Sequence, residues 1–245
     1  RVNNDDIYPA DILTVAHSAS LLSGKMLTGN TAYLSLKDGA SINTGNSSSF
    51  VNGPMRYEMA ASATRTLNFP IGESDKWRYA SVIVSHTTNT SYTYSTQVVS
   101  GSAITSSNEI PASVNNISGV RYFQIERLLT STGNSSSAGL NGNQTIIIHY
   151  EADDLVTDYS NLTIVKSPST GVTWLDIGGV ASANTTGTVY STSSPSAFTS
   201  FSKFALANIN GGGNVLPVQL TGFDGHVCDN KICLNWQTAS EVNCG

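Results

Sequence analysis

Tyr79-Ala80-Ser81-Val82-Ile83-Val84-Ser85-His86 and, beyond Thr87-Thr88-Asn89-Thr90, Tyr92-Thr93-Tyr94-Ser95-Thr96-Gln97-Val98-Val99 form the stretch on which the fold turns. Val82, Val84 and His86 share one face at period two, and so do Tyr92, Tyr94 and Thr96; this alternation belongs to half-buried strands. The run predicts a hairpin or two adjacent strands. Further strands are expected at 122–129, 144–150, 162–166, 173–177, 186–190 and 201–206, separated by Ser/Asn/Gly tracts such as 131–142. None of these segments carries a helical period, and no helix of ten residues or more is expected. An all-β fold follows, with an antiparallel β-sandwich of the jelly-roll or Ig-like kind over 69–209.

Upstream, over 1–68, the apolar stretches shorten to Ile12-Leu13-Thr14-Val15, Met26-Leu27, Tyr33-Leu34-Ser35-Leu36 and Phe50-Val51, punctuated by Gly24, Gly29, Asn30, Asp38, Gly39, Asn43 and Gly45. Such spacing suits either a short-strand meander or a β-solenoid-like segment, and no strict repeat decides between them. Downstream, Gly211-Gly212-Gly213 marks a flexible linker over 210–215. After it, 216–245 reads as a hairpin in which Ile232, Leu234 and Trp236 share one face. Two strands are too few to be stable alone, so these three residues need a partner surface and are candidates for contact with another subunit.

Composition narrows the function. Ser, Thr, Asn and Gly make up 104 of the 245 residues, counted as 35, 26, 22 and 21, while only 12% are charged and the net charge is −5. Nucleic-acid binding needs clustered cations to release counterions, and no stretch has more than two basic residues within five positions, so no nucleic-acid partner is expected. The longest apolar runs fall far short of the ~20 residues of a membrane-spanning helix. Disorder is disfavoured because 39% of residues are hydrophobic and the aromatics sit in patterned runs. Arg1 opens the chain with neither an initiator Met nor a signal-peptide pattern, as expected of a processed chain or a segment of a longer one.

Cys228, Cys233 and Cys244 all lie in the last eighteen residues. With Asn230-Lys231 as a two-residue turn, Cys228 stands opposite Cys233 in a non-hydrogen-bonded rung, close enough for a disulfide. The alternative is two free thiols in a reducing compartment. A metal at C-x₄-C lacks a second ligand pair. For calcium, Asp153, Asp154 and Asp158 with Glu151, and separately Asp5, Asp6 and Asp11, are candidates, although neither set matches the twelve-residue loop pattern.

The four His, at 17, 86, 149 and 226, have no zinc-ligand spacing, and no nucleophile elbow, P-loop or dinucleotide fingerprint occurs. No cofactor and no catalytic residue is therefore assigned, and a non-enzymatic role is expected. Seven N-x-S/T sequons, at Asn46, Asn89, Asn116, Asn134, Asn143, Asn161 and Asn184, matter only in a host that glycosylates them.

Three regions resemble one family. Phe50-Val51-Asn52-Gly53-Pro54-Met55-Arg56, Phe69-Pro70-Ile71-Gly72 and Trp77-Arg78-Tyr79 are similar to a signature of large secreted surface proteins of Bacteroidota. Ile117-Ser118-Gly119-Val120-Arg121-Tyr122-Phe123-Gln124-Ile125-Glu126-Arg127, Trp174-Leu175-Asp176-Ile177-Gly178 and 198–206 resemble their following β-rich module. Leu216-Pro217-Val218-Gln219-Leu220-Thr221-Gly222-Phe223 and Leu234-Asn235-Trp236-Gln237-Thr238-Ala239-Ser240-Glu241-Val242-Asn243 resemble the linker and opening strands of their fibronectin-type-III-like domain, which in the family continues for several more strands. The resemblance implies type IX secretion and an extracellular or cell-surface location. It implies a structural role, in a filament, layer or adhesin, with partners that are copies of the chain or other surface proteins. Strand addition to the exposed hairpin edge would give a polymer. The alternative is a carbohydrate-binding adhesin module in which Tyr92, Tyr94 or Trp174 stack on glycans; a secreted hydrolase accessory domain is a third expectation.

Overall fold

The computed structural model describes residues 6–105, 107–142, 144–214, 216, 220–228 and 231–238. Over these residues the chain is nearly all β, 47% strand and 3% helix, in several sheets of which none closes. Among the described residues the helical segments are two 3-10 turns, Ala152–Asp154 and Tyr159–Asn161.

The N-terminal part winds. β1 (Leu13–Val15), β2 (Ser18–Ala19) and β3 (Met26–Leu27) make a first coil, β4 (Leu34–Leu36), β5 (Ser41–Ile42) and β6 (Val51–Asn52) a second, and β7 (Met55–Met59), β8 (Thr64–Phe69) and β9 (Ile71–Glu73) a third. Successive coils stack in parallel. Leu13 pairs with Leu34 and Leu34 with Met55, while Val15 pairs with Leu36 and Leu36 with Tyr57, each partner 21 positions on. The corner strands stack likewise, β2 on β5 and β3 on β6 on β9. Of the two expectations for this region, the solenoid-like one describes it. Leu34, Leu36, Met55, Tyr57 and Met59 turn into its core.

The family-like motifs of this region are its rungs. Val51 pairs with Ile71 and Asn52 with Gly72, so Phe50-Val51-Asn52-Gly53 and Pro70-Ile71-Gly72 lie one above the other. Gly72 lies flat on Phe50: a Cβ there would meet the ring at 2.7 Å and the Lys76 carbonyl oxygen at 2.2 Å. Gly53 turns the corner at φ +123°, where a Cβ would stand 2.5 Å from the Thr28 carbonyl oxygen.

The solenoid continues into the rest of the molecule without a break. After β10 (Lys76–Trp77) come β11 (Ala80–Ser85), β12 (Tyr92–Ser100), β13 (Val114–Ile117), β14 (Arg121–Leu129) and β15 (Thr145–Tyr150). Then follow β16 (Leu162–Lys166), β17 (Leu175–Asp176), β18 (Val180–Ala181), β19 (Gly187–Tyr190) and β20 (Lys203–Ile209). The third coil's β7 pairs antiparallel with β12, so one nine-stranded sheet runs β1-β4-β7-β12-β14-β20-β16-β17, with β13 on β20. A five-stranded sheet runs β18-β19-β15-β11-β8. The position 68/69, taken from the sequence as a segment boundary, falls inside β8.

β11 and β12 alternate as expected, with Val82, Val84, His86, Tyr92, Tyr94 and Thr96 buried. They do not pair with each other. β11 lies between β8 and β15, and β12 between β7 and β14, so the 87–91 connection carries the chain from one sheet to the other. Residues of both sheets, among them Val82, Ile146 and Ile148 from one and Tyr94, Phe123 and Ile164 from the other, share one hydrophobic cluster. A smaller cluster on the far face gathers Trp174, Val165, Ala205 and Ala207.

The glycine-rich segment is docked rather than free. The Gly212 carbonyl accepts from the Asn208 and Asn115 side chains, at 2.8 and 3.4 Å. Buried Asn214 accepts from the Thr157 and Asp158 backbone amides at 2.9 and 2.7 Å, and Leu216 is buried. Side-chain amides thus hold the middle glycine and the residue after the third against the body; residue 215, the end of the expected linker, lies outside the described residues.

Candidate functional site

Two places gather the residues singled out from the sequence. The first is a buried charge cluster at the ends of β10, β14 and β15. Arg78 is fully buried, with Nη1 3.1 Å from Glu151 Oε2 and Nε 3.3 Å from Asp154 Oδ2, and it donates through Nη2 to Asp153. Arg121 donates from Nη1 to Asp154 Oδ1 at 2.6 Å and from Nη2 to Asp153 Oδ2 at 2.5 Å. Lys76 stands 3.7 Å from Asp153. Three cations meet three carboxylates, and the charge closes.

Burial works against the Asp153 carboxylate, but the bond and charge of Arg121, with Arg78 and Lys76, outweigh it and lower its pKa. Burial pushes the Asp154 carboxyl up, against the pull of Arg121, the Glu151 amide and Arg78. His149 stacks beside the cluster, its ring 4.3 Å from Trp77 and 5.1 Å from Tyr79, and burial together with Arg78 and Arg121 holds it neutral with a pKa of about 4.

This cluster contains two of the calcium candidates, Asp153 and Asp154, and commits both to arginines. Asp158 stands elsewhere, accepting from Ser160 and Asn161 at the start of the second 3-10 turn. Among the described residues no group of three His, Cys, Asp or Glu is disposed to hold a metal. Of the other acidic set, Asp6 accepts from the Lys25 amide and Asp11 from the Ile12 amide, and Asp5 lies outside the described residues. Tyr92, Tyr94 and Trp174, the rings considered for glycan stacking, are all core residues, 4%, 0% and 2% exposed. The Tyr94 hydroxyl accepts from Arg127 Nε at 2.9 Å and meets His86 Nε2 at 2.7 Å, while the Arg127 guanidinium lies 3.4 Å from the centre of the Tyr92 ring. These three residues therefore offer no platform.

The second place is the hairpin of β21 (Leu220–Cys228) and β22 (Lys231–Thr238). Its register sets Phe223 opposite Trp236, Gly225 opposite Leu234 and Val227 opposite Ile232. Because side chains alternate, Phe223, Val227, Ile232 and Leu234 share one face, and Asp224, His226, Cys228, Lys231, Cys233 and Asn235 share the other. The apolar side is uncovered: Phe223 is 66% exposed, Val227 78%, Ile232 76% and Leu234 51%. The side chain of Trp236 lies outside the described residues.

Cys228 and Cys233 form a disulfide with their Cα atoms 5.9 Å apart. The bridge does not cross a single rung. Lys231 belongs to the ladder, opposite Cys228, and Cys233 stands opposite His226, so the bond runs on a diagonal of the polar face. The right-handed twist of a two-stranded ribbon brings one diagonal closer than the other, a geometry that counting rungs from the turn does not capture.

No protein-family model matches the chain, and no curated protein or solved structure is significantly similar to it.

Proposed function

We propose that this chain is an extracellular structural module of a surface filament, layer or adhesin that acts by protein–protein contact and assembles through its hairpin. The observation that carries the proposal is the bare apolar face of Phe223, Val227, Ile232 and Leu234. A large exposed apolar patch backed by a polar face marks a contact surface, and an isolated two-stranded ribbon is marginal in water. Among the described residues, both outer edges of the hairpin lack a strand neighbour. A second copy that adds a strand to one edge satisfies the free backbone groups and widens the apolar face, which a further copy's face can then cover.

The disulfide supports an oxidising, extracellular setting. The resemblance of the motifs at 50–56, 69–72 and 77–79 is what suggests the surface of a Bacteroidota cell and type IX export as that setting. The core shared by the two larger sheets supports a sandwich of jelly-roll or Ig-like kind downstream of the solenoid.

Light scattering over a concentration series and negative-stain microscopy test assembly. The unaltered chain is expected to grow with concentration into a periodic polymer, and Ile232→Lys with Leu234→Lys to leave a folded monomer. A chain that stays monomeric at high concentration, or a double variant that still polymerises, overturns the proposal.

A further inference from the structure

β16 ends in a buried lysine. Lys166 is 2% exposed, and its ammonium donates to the Ser167 carbonyl oxygen at 3.0 Å and to Ser169 Oγ at 3.3 Å. An ammonium has three donors, so the third N–H has no partner among the described residues. Among the described residues no carboxylate lies within ion-pair reach of it, unlike Arg78 and Arg121.

Lys166 lines a cleft of about 270 Å³ whose wall contains no other charged residue. Six of its remaining residues carry hydroxyls: Ser167, Ser169, Thr170, Thr173, Thr199 and Ser200. Ser169 Oγ and Ser200 Oγ lie 2.8 Å apart, so the hydroxyl that accepts from the ammonium is already paired with a second one. The cleft shares Ser167, Pro168, Ser169 and Ser200 with a neighbour of about 510 Å³, which adds a second lysine, Lys203. Glu126 and Arg127 also line that neighbour; Glu126 accepts from the Gln124 amide, and Arg127 is spent on the Ser136 and Ala138 carbonyls.

We propose that the two adjoining clefts bind an acidic glycan, with one sugar carboxylate on Lys166, its ring hydroxyls on the Ser and Thr wall, and the next residues running toward Lys203. A buried charge without a counter-ion is costly to maintain, and an anionic ligand supplies what the fold leaves out. Burial alone lowers the Lys166 pKa to about 8, which agrees with an ammonium that has no anion beside it. The Ser/Thr wall selects a polyhydroxylated ligand over a bare anion, because each hydroxyl both donates and accepts. The site is separate from the hairpin and does not depend on assembly.

The test is calorimetric titration of the full chain with galacturonic-acid tetramer, its methyl ester and inorganic phosphate. The tetramer is expected to bind, the ester to bind at least tenfold more weakly, and phosphate not to compete. Lys166→Met is expected to abolish binding while keeping the circular dichroism of the unaltered chain, and Ser169→Ala to weaken it severalfold. Should either variant fail to fold, two-dimensional NMR of the unaltered chain decides instead, by whether the tetramer shifts the amides of 166–170 and 199–203. Equal binding of tetramer and ester, binding unchanged in a folded Lys166→Met, tetramer-induced shifts elsewhere only, or displacement by phosphate would each overturn the proposal.

Discussion

Single side chains bind the sheets together here through groups that dislike their surroundings. His86 and His149 are both held neutral at a pKa of about 4, His86 by burial and the Arg127 charge against a weaker pull from Asp38, and His149 by burial, Arg78 and Arg121. The unfolded chain takes up these protons near pH 6.5 and the folded chain only near 4, so unfolding binds protons in between. Stability is therefore complete above pH 6.5 and falls as the pH drops toward 4, on the order of 2 kcal/mol for each histidine. Urea midpoints at pH 7.5 and 4.5 should show that loss, and His86→Gln with His149→Gln should flatten it; an unchanged slope in the double variant would place the proton uptake elsewhere. None of this partnering is visible along the chain. Arg78 meets Asp153 across 75 positions, and Lys166 draws no attention in the sequence because its significance is the charge missing around it.

At the scale of elements, what the sequence makes legible depends on how local the determinant is. β12 and β14 declare themselves because eight residues of strict alternation repeat one burial pattern, and the hairpin does so for the same reason. The short apolar stretches mark β1, β3, β4 and β6, but not how they stack, because strands of two or three residues carry almost no periodicity. Their order lies in the 21-position recurrence Leu13, Leu34, Met55 and Val15, Leu36, Tyr57, masked by corners of unequal length. The pairing of β11 with β8 and β15 rather than with β12 is likewise set by partners remote in sequence. The corner at Gly53 is a local determinant that can be tested. At φ +123°, 2.5 Å from the Thr28 oxygen, Gly53→Ala has to move backbone and is expected to destabilise by roughly 2 kcal/mol or more. Gly29→Ala, with open space at its Cβ and no positive φ, should leave the thermal midpoint within a degree or two. Equal effects of the two substitutions would mean that the corner yields freely and that the rung above Phe50 is not held by it.

Over the whole molecule, the parallel coils and the antiparallel sheets form one cooperative body, because the same strands serve both. β7 is the last rung of one stack and the neighbour of β12, and β8 is a corner of the third coil and the edge of the five-stranded sheet. Met55, Tyr57, Leu67 and Phe69, all upstream of β10, sit in the same cluster as Tyr94, Phe123, Ile148 and Phe204. A fragment of 69–209 would lose β7, leaving the edge of β12 unpaired, and all of β8 but its last residue, leaving β11 bare along one side. It would also lack Asn214 and Leu216, which close the 157–158 turn and fill the core. That fragment is expected to be insoluble or to bind hydrophobic dyes without a cooperative melt, while 6–216 should unfold in one transition near the midpoint of the full chain. Calorimetry of the two fragments separates the possibilities: a sharp melt for 69–209 alone would mean that the solenoid is an appendage, and a lowered or split melt for 6–216 would mean that the hairpin contributes to the body's stability.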